Sequence, residues 1–234
     1  MSAYFITGTD TGVGKTWATL ALIKALQNSG EVVVGMKPIA SGCTKTVAGL
    51  RNDDAVKILE LTNKKRSPSL EYKTINSYAF EPAVAPHIAA DWSGEKIDIE
   101  KIADDFNFLH KEADSVLVEG VGGWSVPLGG NEMLVDMVRR LDLSVILVIG
   151  LRLGCINHAL STSRAIQSDG VKLQGWMTSQ IDQAYAGVEE TMDTFHSRIN
   201  APYLGSLPYM KKFDLDFLAG NINLRTLKTL NNIK

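Results

Sequence analysis

The stretch "FITGTDTGVGKTWA", Phe5 to Ala18, decides the fold. A β-type run, "AYFIT", leads into it, and a segment of helical period from Thr16 to Gln27 leads away. Strand, glycine-rich loop and helix in that order make a P-loop. Successive backbone N–H groups curl round a phosphate at a helix N-terminus, a lysine reaches the terminal phosphates, and a Ser/Thr hydroxyl binds Mg²⁺. Gly14-Lys15-Thr16 supplies those last parts. The spacing departs from the usual form: five residues separate Gly8 from Gly14 where four are ordinary, so Thr9 stands at the usual glycine position. Gly12 offers a further close approach of backbone to phosphate. ATP or GTP is the expected ligand.

Outward from the loop, short apolar runs alternate with helical segments: "EVVVGMK" then Asp53 to Leu61, "SVLVEG" then Glu132 to Leu141, "SVILVIGL" then Ile156 to Ser168. "VKLQGWMT" and a helix over Ala184 to Arg198 follow, and Asp98 to Ala113 reads as an amphipathic helix. The strands are continuously apolar, as in a parallel sheet covered on both faces. The fold class is α/β, three-layer, with a mainly parallel sheet flanked by helices, P-loop NTPase-like. Periodicity fails between Ser67 and Gly94, where three prolines fall, and that stretch is expected to be an active-site flap or substrate-side excursion. No linker, repeat or low-complexity run divides the chain, so residues 1–234 are expected to form one P-loop ATPase-type domain.

Composition excludes several classes. A net charge of −2 gives no general attraction to nucleic acid or anionic membranes. No apolar stretch approaches the roughly 18 residues of a membrane span. The strand and loop begin within a few residues of Met1 with no leader-type pattern, which predicts a cytoplasmic protein. Cys43 and Cys155 stand alone and far apart, so no disulfide framework or structural zinc site is expected.

Any anion must therefore be held by a local site. Glu119 follows the apolar "SVLV" run, where such folds place a carboxylate for the nucleotide's metal, since ligands gather at the carboxyl ends of strands. Asp54 is a second candidate Mg²⁺ ligand, although a first-turn acid favoured by the helix dipole is the plainer reading and Asp53 competes for the role. Lys37, in "GMKPIASG", emerges at the same sheet edge beside the P-loop, where a lysine can neutralise an oxyanion; a snorkelling strand-end lysine is the bland alternative. Ser41 and Gly42 then offer a hydroxyl and unobstructed backbone. Cys155 reads as packing or backbone service, His158 as structural, and His87 as a residue near substrate, none with the partners of a triad or zinc site.

Taken together, "TGTDTGVGKT" (7–16), "KPIASG" (37–42), "LRNDDA" (50–55), "VEGVGGW" (118–124), "GLRLGCINHA" (150–159) and "YLGSLPY" (203–209) closely resemble the dethiobiotin synthetase family, in order over about nine-tenths of the chain. The shifted glycine spacing is that family's own form of the loop. The resemblance implies an ATP-dependent ring closure: 7,8-diaminononanoate and CO₂ form a carbamate, ATP phosphorylates it, and the second amine displaces phosphate. It implies Thr16, Asp54 and Glu119 as Mg²⁺ ligands and Lys37 and Lys15 as catalytic lysines. Gly12, Val13, Gly14, Lys15, Thr16 and Trp17 would wrap the phosphates, with Gly120, Val121 and Gly122 close to nucleotide or carbamate. Ser179, Gln180, Pro208, Tyr209 and Met210 would line the adenine pocket, and Ser41 would touch substrate near the amines. It also implies a homodimer with the active site at the interface, in which Gly154, Cys155, Ile156 and Asn157 at a helix start clasp the substrate carboxylate from the other subunit. This chain departs from the family at Ser179-Gln180, where Asn-Asp is common, and at Gly12, where some members carry glutamate.

Three rivals share the loop. A partitioning ATPase of the MinD type carries a signature lysine five residues before the invariant one, where this chain has Asp10. A small-molecule kinase would bring an arginine-rich lid, and Ser67 to Gly94 contains no arginine. An amidoligase of cobyrinic acid synthesis would need a glutaminase domain for which the chain has no room.

Overall fold

The computed structural model describes residues 2–62 and 70–229. Its centre is a six-stranded sheet of β1 (Ser2–Gly8), β2 (Val33–Met36), β3 (Ser115–Glu119), β4 (Ser144–Gly150), β5 (Leu173–Ser179) and β6 (Tyr203–Leu207). The spatial order is β6-β5-β4-β1-β3-β2, and every neighbouring pair is parallel. Alternate residues of β4 serve opposite faces: Ile146 and Val148 join the larger apolar cluster, Leu147 and Ile149 the smaller one with Trp176 and Phe195. This double-sided burial explains why the strands read as unbroken apolar runs.

The chain leaves β1 toward β2 and later crosses back past β1 to β4, so loops diverge at the carboxyl end of β1 and open a crevice there. Register then fixes what meets in that crevice. Ile6 lies opposite Glu119 and Met36 opposite Val118, so the P-loop, the end of β3 and Lys37 all leave the sheet side by side.

Helix α1 (Lys15–Asn28) starts at Gly14 in the left-handed region, φ 90°. The helices Ile99–Lys111 and Cys155–Ser168 fall where periodicity predicts them. Two predicted helices shorten: Leu134–Arg140 begins late because Glu132–Met133 pairs with Pro127–Gly129, and Val188–Arg198 begins late because Asp182 folds a turn onto the Ala184 N–H. Strand β6 and the helices Leu215–Gly220 and Leu224–Thr229 carry no strong periodic signal. Gly205, at φ 136°, sits where a side chain would strike the Asn221 carbonyl, which leaves β6 a short run with a glycine at its centre.

The expected flap is more regular than its prolines suggest. Residues 67–69 lie outside the described residues; beyond them come Tyr72–Ile75, a strand Tyr78–Ala79 beside Ile39–Ala40, and a helix Pro86–Ser93. Pro86 starts that helix at a position where its missing N–H costs nothing.

Helix α2 (Asp53–Leu61) is capped by Asn52, whose Oδ1 accepts from the N–H groups of Asp54 and Ala55 at 3.1 and 3.2 Å. Asn52→Ala is expected to cost about 1 kcal/mol of unfolding free energy, measured by urea titration, and to loosen the helix start that carries Asp54.

Candidate active site

Gly8 can hold its place only without a side chain. A Cβ there would lie 2.6 Å from Val13 Cγ2 and 3.1 Å from Lys15 Cγ, because the loop folds back over it. The glycine needed for that turn is thus at 8 rather than 9. Gly12, at φ 75°, faces open space, and Gly14 lies hard against Ser179, whose Oγ would be 2.5 Å from an added Cβ. Val13 is the loop's anchor, buried against Gly8 and Gly150.

Two lysines enter the crevice in different states. Lys15 Nζ donates to the Asp10 and Gly122 carbonyls at 2.8 and 2.6 Å. Burial, then repulsion from Lys37, lowers its pKa to about 8. Lys37 is more deeply buried, yet its ammonium is held above its ordinary pKa: burial opposes the charge, but Glu119 and Asp54 outweigh it. Its Nζ lies 2.6 Å from Glu119 Oε1, 3.4 Å from Asp54 Oδ2 and 3.3 Å from the Gly120 carbonyl. Glu119, 1% exposed, also accepts from Thr16 Oγ1 at 3.0 Å through the same Oε1.

Glu119 Oε2 is buried with no hydrogen-bond partner among the described residues. An orphaned carboxylate oxygen beside a threonine hydroxyl and a second carboxylate fits a hard divalent cation. Three clustered His, Cys, Asp or Glu side chains do not occur among the described residues, so a metal here would complete its shell with phosphate oxygens and water.

These groups face one cavity of about 1150 Å³. The structure brings Gly12, Gly14, Lys15, Thr16, Trp17, Lys37, Ser41 and Asp54 to its wall, with Glu119, Val121, Gly122, Ser179, Gln180, Pro208, Tyr209 and Met210. Val13 and Gly120 serve from behind, one as core and one through its carbonyl. Ser41 Oγ is buried and unpartnered among the described residues. Gly154, Cys155, Ile156 and Asn157 do not line this cavity; Cys155 is buried at its helix start, and the preceding turn is tied to the P-loop by Arg152 on Asp10 at 2.7 Å. His87, one residue beyond Pro86 of the wall, is itself off the wall.

Several wall residues escape sequence reading. Phe213 stacks on Trp17 with centroids 4.3 Å apart, and Lys57 Nζ stands 5.0 Å over the Trp17 ring, making an aromatic shelf at one end. Ala83, Val84, Ala85 and Pro86 also line the wall. The half-exposed Phe213 has no periodic context, and only its spacing from "LPYM" could have drawn attention to it.

The chain matches a family model described as an AAA domain over residues 2–215. It is 43% identical over 228 residues to the ATP-dependent dethiobiotin synthetase BioD of Pseudomonas paraeruginosa, covering 97% of this chain and 98% of that protein. Identity to the Xylella fastidiosa protein of the same name is also 43%, over 90% of this chain and 91% of that one. The chain belongs to the dethiobiotin synthetase family. Among solved structures, the MinC:MinD cell division complex of Aquifex aeolicus matches with TM-score 0.55 at 21% identity, over 100% of this chain and 96% of that one. A ParA family ATPase from Chlorobium tepidum matches with TM-score 0.55 at 12% identity, over 100% and 94%. Those two likenesses show the P-loop NTPase fold alone. The synthetase-family site differs from the signature-lysine pattern of partitioning ATPases at Asp10, which here anchors Arg152 and accepts Lys15 on its carbonyl.

Removing one member of a buried ion pair strands the other. Glu119→Gln is expected to lower unfolding free energy by about 3 kcal/mol in urea titrations at neutral pH, and adding Lys37→Met in the same chain to restore part of that loss.

Proposed function

We propose that this protein is an ATP-dependent dethiobiotin synthetase of biotin biosynthesis, which closes 7,8-diaminononanoate and CO₂ into the cyclic urea of dethiobiotin. The observation that carries this reading is that Lys15 and Lys37 face one cavity, one in the P-loop and one on the Glu119 carboxylate at the end of β3. Two cations suit two small anions held side by side, a carbamate and a γ-phosphate, and no protein nucleophile is then required.

The sequence of bonds follows. An amine nitrogen of the diamine adds to CO₂ and releases a proton, giving a carbamate. A carbamate oxygen attacks the γ-phosphorus and ADP leaves. The second amine attacks the carbamoyl carbon, phosphate departs, and the ring is closed. Lys15 bears on the terminal phosphates, the P-loop N–H groups hold them, and Lys37 neutralises the oxyanion passing between carbamate and phosphate. Ser41, with a free hydroxyl in the wall, orients the amine end. Mg²⁺, held by Thr16, Asp54 and Glu119, would supply charge neutralisation across the phosphate oxygens when bound. The shelf of Trp17 and Phe213, with Gln180, Pro208, Tyr209 and Met210, takes the base. Ser179 and Gln180 replace the family's frequent Asn-Asp; Ser179 packs close on Gly14 of the P-loop, and base selection in this reading falls to Gln180 and backbone.

The helix start at Gly154 to Asn157 lies off this chain's own cavity, which suits service to a second subunit. In this reading the protein is a cytoplasmic homodimer, and free N–H groups of that helix hold the distal carboxylate of a diamine seated in the partner's cavity. Of membrane attachment, no helix among the described residues is long and apolar enough to cross a bilayer.

Purified protein with the diamine, bicarbonate and Mg-ATP is expected to release ADP and phosphate and form dethiobiotin; ATP turnover indifferent to the diamine would sink the assignment. Lys37→Ala is expected to reduce turnover by about 10²- to 10³-fold. The shared site has its own test. Lys37→Ala and Gly154→Val, each inactive alone, are expected to regain about a quarter of wild-type activity when unfolded and refolded together in equal amounts, because half the dimers then carry one intact site. No regain would place both halves of the site in one chain.

A further inference from the structure

Lys37 stands just beyond β2, where the sheet no longer holds it: the β2–β3 ladder ends at Met36 opposite Val118. Both polar groups of its backbone are nonetheless held. Its N–H donates to the Ile75 carbonyl at 2.9 Å, and its carbonyl accepts from Asn76 Nδ2 at 2.7 Å. Asn76 is 3% exposed and fully engaged: Nδ2 also donates to the Tyr78 carbonyl at 3.0 Å, while Oδ1 accepts from the Tyr72 hydroxyl at 2.9 Å. That hydroxyl in turn accepts from the Asn52 N–H at 2.8 Å. Asn52 caps the helix whose first turn carries Asp54.

The path closes on itself. One side runs Lys37 carbonyl, Asn76, Tyr72, Asn52, Asp54; the other is the direct contact of Lys37 Nζ with Asp54 Oδ2 at 3.4 Å. A buried amide whose oxygen accepts and whose nitrogen donates twice has one permitted orientation, and a strand end so clamped cannot slide. Neither Asn76 nor Tyr72 lines the cavity.

We propose that Asn76 and Tyr72 are positioning residues that set the separation of Lys37 from Asp54 and so aim the Lys37 ammonium at the oxyanion. The inference rests on the synthetase reading for its chemistry and on the hydrogen-bond path for its geometry. It assigns a different task to part of the segment that the sequence marks as a flap or substrate-side excursion: the stretch after residue 70 is the brace of the catalytic lysine.

Tyr72→Phe is the chosen variant, because the phenyl ring keeps the place over which the Arg51 guanidinium stacks at 4.2 Å while the hydroxyl alone is lost. Asn76→Asp is the second; it keeps an acceptor for Tyr72 and loses both donors. With wild type active, each variant is expected to lose about tenfold in kcat per folded site, with KM for ATP changed less than about twofold. A misaimed Lys37 also lets water compete with the carbamate, so phosphate released per dethiobiotin formed rises above the wild-type ratio. Loss of folded protein alone would move neither kcat per folded site nor that ratio. Unaltered kcat and coupling in Tyr72→Phe, beside an active wild type, overturns the inference and leaves the synthetase reading intact.

A second measurement needs no turnover, and so stands even if the wild type makes no dethiobiotin. In a double-mutant cycle on unfolding, Tyr72→Phe and Lys37→Met are expected to be non-additive by about fivefold in the folding equilibrium, because a loosened Lys37 has less ion pairing left to lose. Additive effects overturn the inference.

Discussion

The contact between Lys37 Nζ and Glu119 Oε1, 2.6 Å long in a site almost closed to solvent, is the constraint on which the rest of the structure depends. Alone it is poor value for stability, since desolvating both charges costs nearly what their attraction returns. Its worth lies in placement. It joins the ends of β2 and β3, draws Thr16 of α1 onto the same oxygen and brings Asp54 of α2 within reach. Four elements that share little sequence proximity are pinned around one ammonium. Register makes the pin possible, since one step along β2 or β3 would turn one of the two side chains to the other face.

The architecture shared with the MinD and ParA family structures is a fold likeness alone, and a fold does not by itself fix a function. A parallel sheet with a P-loop after its first strand supplies a phosphate seat and a crevice. What the crevice does is set by residues at strand ends: a lysine after β2, an acid ending β3, a serine four residues beyond that lysine. Asp10 shows the point most directly. Its carboxylate is turned to Arg152 and its carbonyl accepts from Lys15, so at this place in the loop the chain carries an acid and its ion pair rather than a second lysine.

Much of this was legible in the sequence because it is local. Apolar runs, helix period and the order strand, loop, GKT, helix are read within a dozen residues, and they give the sheet, most helices and the P-loop. Lys37, Glu119 and Thr16 were legible as strand-end or loop residues. Strand β6 was not, since Gly205 interrupts and Pro208 bounds a five-residue run whose place is fixed by pairing with β5. Nor was the brace of Tyr72 and Asn76, which reaches Asn52 and Lys37 through contacts 20 and 39 residues away in the chain. Proline content there signals a break in periodicity equally well for a loose flap and for a tight turn followed by a helix. Phe213 likewise gains meaning only when Trp17 is found beneath it. Aromatic stacking at a cavity rim leaves no periodic trace.

The surroundings of the two lysines differ in kind. Lys37 is neutralised by fixed carboxylates and is held charged above its ordinary range, so an arriving anion must compete with Glu119 for it. Lys15 donates to two carbonyls and is buried; burial first and repulsion from Lys37 next outweigh the pull of Glu119, Asp10 and Asp54 and bring it down to about 8. An anion placed beside Lys15 relieves desolvation and repulsion together, whereas one beside Lys37 replaces an attraction already present. On the proposed synthetase reading, binding free energy for phosphate would then be concentrated at Lys15. Lys37 would contribute most where the moving charge exceeds what Glu119 already provides, which is the condition for acting on the transition state more than on the bound substrate.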